Sequence, residues 1–147
     1  MTPLLLGMLV QCLLGAFANL GFAVWFRVPR RILWLAVLIG TAGFLVRQLL
    51  HHFGEPQLVA SFWAAFVIGV LGLYRARSTG QPRVVFTVTG VIPLVPGIPA
   101  YESMVHFTQG NIVSGMDNAI RATVIVAALA GGLTVARILT LPRRSPH

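Results

Sequence analysis

Five apolar stretches, residues 3–26, 32–50, 58–74, 84–107 and 118–140, take up most of the 147-residue chain. Each is close to the roughly 20 residues of helix that cross the hydrocarbon core of a bilayer. What remains is too short for a nucleotide-binding module or a soluble catalytic domain. Charged residues make up 10% of the chain and apolar ones 56%, against about 25% charged in soluble domains. The sequence therefore predicts an all-α integral membrane protein of five transmembrane helices. It reads as a single membrane domain over residues 1–147 with no soluble domain.

The net charge of +8 would suggest nucleic acid in a soluble protein. Here the basic residues, all arginine, sit where apolar runs end, and no nucleic-acid partner is expected. Arg27, Arg30 and Arg31 follow the first stretch, Arg75, Arg77 and Arg83 the third, and Arg137, Arg143 and Arg144 the fifth. With five spans these clusters fall on one side, which the positive-inside rule makes cytoplasmic. The N-terminus is then outside and the C-terminus inside. Ala16-Phe17-Ala18 has the small-residue pattern of a signal-peptidase site, but no basic segment precedes it. Cys12, the only cysteine, reads as a packing residue.

Small and polar residues recur at four-residue intervals in two stretches. Gly7, Gln11, Gly15 and Asn19 share one helical face, which reads as a packing seam. The sharper alternative is that Gln11 or Asn19 lines a polar pathway. Ala119, Thr123, Ala127 and Gly131 suggest a second seam, and Ser114 to Asp117 has capping-box spacing. Gly69 and Gly72 are expected to let another helix come close. Arg47 lies inside the second stretch. Its long stem is expected to snorkel to the outer interface, the alternative being an anion-binding role. His51 and Glu55 in the following turn make too thin a set for a metal, and no metal or cofactor is expected.

The fourth stretch carries the most information. Pro93, Pro96, Gly97 and Pro99 fall near its middle. Each proline removes an N–H and pushes the residue before it toward extended geometry. The spacing predicts two half-helices, 84–92 and 99–107, each about 13 Å long and meeting near the midplane. Irregular backbone at that depth is tolerated only inside protein or beside a watery cavity. Such breaks line substrate sites in secondary transporters. The candidate substrate-binding residues are Pro93, Pro96, Gly97, Pro99, Ala100, Tyr101 and Ser103, with Gln11 and Asn19 as further candidates. N–H groups from Ala100 to Ser103 are expected to receive a carboxylate. Glu102 and His106, four residues apart, read either as an interfacial pair or as a proton-coupling pair.

Gly90-Val-Ile-Pro-Leu-Val-Pro-Gly97, with Tyr101 and Gln109-Gly110 after it, resembles the threonine/serine exporter (ThrE-like) family, and within it the small membrane subunit of the YjjB type. Phe22 to Arg31 and Ser61-Phe62 through Gly69 match that branch as well, and the resemblance runs in order along most of the chain. It implies a bacterial inner-membrane exporter of small amino acids (threonine, serine) or succinate-like dicarboxylates, driven by the proton gradient. It also implies a larger ThrE-type partner subunit of the YjjP type, with a higher oligomer possible. The expected partners are thus that subunit, the lipid bilayer and a small carboxylate-bearing substrate. Two rivals stand beside this reading. One is a structural subunit without its own substrate pathway. The other is an intramembrane enzyme, for which the three acids, four histidines and one cysteine are too scattered to converge.

Overall fold

Proline sets the start of three helices. In this computed structural model, which describes the backbone of residues 2–140 and the side chains of residue 7 and residues 10–140, Pro29, Pro56 and Pro82 each adopt extended geometry just before a helix. The carbonyls of Pro29 and Pro56 accept the first helical bonds, from Leu33 and Ala60, both at 3.1 Å. A proline at this position loses nothing, because the N–H it lacks has no helical partner there. The helices are α1 (Thr2–Trp25), α2 (Arg30–His52), α3 (Gln57–Thr79), α4 (Arg83–Val91), α5 (Gly97–Thr108) and α6 (Ile112–Thr140), with a 3-10 turn at Ile92–Leu94. No strand occurs among the described residues. Arg143 and Arg144 lie outside them. Gly80, at φ 65°, ends α3 in the left-handed conformation that favours glycine.

Three helices, α2, α3 and α6, are each long and apolar enough to cross a membrane. The pair Arg83–Leu94 and Gly97–Thr108, bent by 48°, makes a fourth when taken as one span. Helix α1 is 24 residues long, and its part Val10–Trp25 is apolar. Together these make the chain a multi-pass membrane protein. Outward-facing Leu13, Phe17, Trp34 and Leu38 suit a hydrocarbon surrounding.

Glycine contacts fix the helix directions. The α1–α2 seam pairs Gly15 with Phe44 and Asn19 with Gly40, and Gln48 donates to Gln11 farther along. The two helices are therefore antiparallel, and the seam is the one expected from four-residue spacing, except that Gly7 is exposed and meets nothing. Gly90 of α4 lies against both Gly40 and Ile68. Four helices thus meet at one level near the middle of α2. Gly72 meets Phe86 and Thr87, so α4 runs antiparallel to α3.

The α3–α6 contact is parallel. Gly132 sits against the backbone of Phe62 and Phe66, a Cβ on Gly69 would lie 2.6 Å from Ala136, and Arg77 bonds the carbonyl of Thr140. Gly69 and Gly72 are close-approach points as expected. The seam on α6 differs from the expected one. Ala128, Gly132 and Ala136 are buried, while Thr123 and Ala127 are exposed. The packed face lies one residue along, because Gly132, not Gly131, faces the Phe62 carbonyl and leaves no room there for a Cβ. The capping box at Ser114 is replaced as well: Asn111 Oδ1 accepts the Ser114 N–H at 3.3 Å, and Asp117 pairs with Arg121 at 3.0 Å.

Candidate functional site: the broken fourth helix

The break is narrower than three prolines suggest. Pro93 sits in the 3-10 turn, and Pro99 lies in the first turn of α5, where its missing N–H has no helical partner. Only Val95 and Pro96 are irregular. Val95 is extended (φ −59°, ψ 134°), as the residue before a proline must be. Pro96 (φ −76°, ψ 69°) makes an inverse γ-turn, in which Gly97 N–H donates to Val95 O at 2.8 Å. Helix thus resumes at Gly97, two residues before the expected start. The break also lies off centre. Leu94 is one turn past Gly90 and its four-helix junction, about 6 Å toward the end of the bundle that carries His52.

One carbonyl decides the local electrostatics. In a continuous helix Leu94 O would accept from Ile98 N–H. Here Arg47 Nη1 donates to Leu94 O at 3.0 Å. Arg47 is half-buried and points into the break. It does not snorkel to the outer interface, because the carbonyl exposed by Pro96 is the stronger attraction within reach. The next residue, Gln48, bonds Gln11 of α1. Helix α1 also packs against the 3-10 turn. The Gln11–Gln48 pair thus lies one residue along α2 from Arg47, and Asn19 lies about 12 Å from Gln11 along α1.

The other candidate residues take no part in the bond between Arg47 and Leu94 O. Ala100 N–H donates to Pro96 O at 3.2 Å, and Tyr101 to Ser103 continue the α5 ladder. Their N–H groups are thus committed, and the expected carboxylate cradle is not built from them. Ser103 is buried and donates to Gly115 O at 2.9 Å, tying α5 to α6. Tyr101 is 69% exposed. Glu102 is exposed and His106 half-buried, and they form no ion pair. Helix α5 packs on α6 and scarcely touches the rest of the bundle, so both residues ride on the α5–α6 hairpin. A Cβ on Gly97 would meet nothing within 4 Å. Sequence reasoning noticed Arg47 and assigned it outward. The signal that redirects it is the orphan carbonyl a proline creates four residues upstream of the first free N–H.

At the opposite end, a cleft of about 260 Å³ opens between α3, α4 and α6, lined among others by Arg83, Thr87, Thr134 and Arg137. Arg77 and Thr140 meet there as well. The arginines that end α3, begin α4 and end α6 are thus brought together.

Residues 11–139 match the sequence profile described as "Threonine/Serine exporter, ThrE". The chain belongs to this threonine/serine exporter family. The match runs from within α1 to the end of α6 and takes in the broken helix. A curated relative from Haemophilus influenzae, described only as an uncharacterized protein, is 36% identical over 109 residues. The alignment covers 74% of this ThrE-family chain and 36% of the relative. The chain thus spans about a third of that relative's length. No solved structure matches it. The family is one of membrane exporters rather than enzymes.

Proposed function

We propose that the chain is one membrane subunit of a proton-motive-force-driven exporter of threonine and serine or of succinate-like dicarboxylates. It works in the bacterial inner membrane with a larger ThrE-type subunit. The observation that carries this reading is the break at Val95–Pro96, with Arg47 on its freed carbonyl, in a chain of an exporter family. Discontinuous helices of this kind line substrate sites in secondary transporters. Pro93, Pro96, Gly97 and Pro99 shape the break, and Gln11 bonds Gln48, the neighbour of Arg47 in sequence. Asn19, Ala100, Tyr101 and Ser103 contribute by position, the last through the hairpin. Glu102 and His106 are the candidates for proton coupling.

The five-span, N-out and C-in arrangement belongs to the same proposal. The parallel course of α3 and α6 supports it. If α4 and α5 together formed a re-entrant loop, α6 would start on the side where α3 ends and would run antiparallel to it. The gathering of arginines at one end supports placing that end in the cytoplasm.

The test is efflux of threonine, serine and succinate from cells expressing the chain with and without the larger subunit, each with and without an uncoupler. Uncoupler-sensitive efflux that needs both chains is the expected result. Gly97→Leu, whose Cβ meets nothing within 4 Å, should insert normally and block that efflux. Normal efflux by Gly97→Leu would remove the break from the pathway. Stable assembly with no efflux of any of the three would leave the structural-subunit reading.

A further inference from the structure

We infer that Arg47 is the residue that binds the substrate's carboxylate. The argument starts from charge. The chain has three acids. Asp117 is paired with Arg121, the one ion pair among the described residues. Glu55 is exposed in the turn after α2, and Glu102 is exposed on α5. Arg47, five residues inside the end of α2, therefore pairs with no acidic side chain among the described residues. A guanidinium carries five N–H donors, and the one hydrogen bond described for Arg47 uses a single donor, on Leu94 O. A cation within a membrane-spanning helix is costly unless something neutralises it.

The direction of the side chain narrows what that something is. A lipid phosphate would draw the guanidinium outward to the headgroups. Arg47 turns the other way, toward the break. There, the break that frees Leu94 O also leaves Ile98 N–H without a backbone acceptor among the described residues. The break thus offers a planar fork of donors and a free N–H at the start of α5. Both suit a carboxylate, which a guanidinium can grip with two parallel bonds. The Gln11–Gln48 amide pair, one residue along α2, carries neutral donors and acceptors suited to a hydroxyl or amino group. A small molecule with one carboxylate and further polar groups fits this set. The exporter reading supplies only the choice of carboxylates to test.

The test uses the purified full chain in nanodiscs of zwitterionic lipid, so that no anionic headgroup competes. Thermal stabilisation is measured with threonine, serine and succinate, and with their amides threoninamide, serinamide and succinamide. The expected result is stabilisation by at least one carboxylate and none by its amide. In Arg47→Gln the apparent affinity should fall roughly 10- to 100-fold, the loss expected for a hydrogen bond to a charged group. Arg47→Lys, which keeps the charge but not the fork, should retain part of it. Monodisperse elution of both variants checks the fold. Equal carboxylate affinity in Arg47→Gln would overturn the inference, and so would no stabilisation of the wild-type chain by any of the three acids. The exporter reading fails separately: carboxylate binding that depends on Arg47, with no efflux from cells, would keep this inference and sink that reading.

Discussion

The amide oxygen of Asn19 fills the space that a Cβ on Gly40 would occupy. Asn19 is wholly buried, and its Nδ2 donates to Gly15 O at 2.9 Å within α1. Its Oδ1 has no conventional partner and rests on the Gly40 backbone, in the manner of a weak Cα–H···O contact. Gly40 also touches Gly90, so this one glycine lets α1, α2 and α4 converge.

Gly40→Ala should therefore push Asn19 off its seat and cost about 1–3 kcal/mol, as overpacking does. Adding Asn19→Ala should recover part of the loss, since the two changes meet at one contact. Thermal unfolding of the single and double variants in detergent measures both. An unchanged midpoint for Gly40→Ala would contradict the crossing.

Two neighbouring glycines on α6 should behave in opposite ways. A Cβ on Gly132 runs into the Phe62 carbonyl, while one on Gly131 meets only the Phe62 ring at 3.6 Å. Gly132→Ala should destabilise by about 1–3 kcal/mol. Gly131→Ala should be neutral, or stabilising by up to about 1 kcal/mol through helix propensity. Equal effects in the same unfolding assay would place the seam elsewhere.

Pro96→Ala restores an N–H at the break and removes the constraint on Val95. Ile98 N–H can then reach Leu94 O, displacing Arg47, and the 48° bend should open toward a straight helix. Spin labels at Val84 and Met104 should move apart, read by pulsed electron resonance in nanodiscs. An unaltered distance would mean that packing, not proline, sets the bend.

The proposed topology is checked by single cysteines in a Cys12→Ser background. Glu55→Cys and Gln109→Cys should react with a membrane-impermeant maleimide from outside intact spheroplasts. Ser78→Cys should react only after lysis. Labelling of Gln109→Cys together with Ser78→Cys would mean that the bent pair returns to its own side.

Apolar run length was enough to locate α2, α3 and α6, because a membrane helix must satisfy its own backbone. The α1–α2 seam was legible too, since a glycine and an amide four residues apart share a face. The α6 seam was not: Ala127-Ala128 and Gly131-Gly132 offer two registers of small residues, and only the partner carbonyl at Phe62 chooses between them. The proline cluster announced a break but not its width. Pro93 and Pro99 fall where a helical turn has no use for an N–H, which spacing alone does not tell. The role of Ser103 depended on Gly115 lying opposite, and that of Arg47 on a carbonyl in another helix. Contacts between residues far apart in sequence leave no periodic trace.

Helix α6 is unbroken over 29 residues, about 43 Å, and has two different neighbours. Its first turns are fastened to α5 by Ser103 and Gly115, and its last turns lie along α3 beside Arg137 and the cleft at the arginine-rich end. It is one stiff rod joining the broken helix to the arginine-rich end, so a displacement of α5 at the Val95–Pro96 joint would be carried along α6 to its close contact with α3 at Phe62 and Gly132.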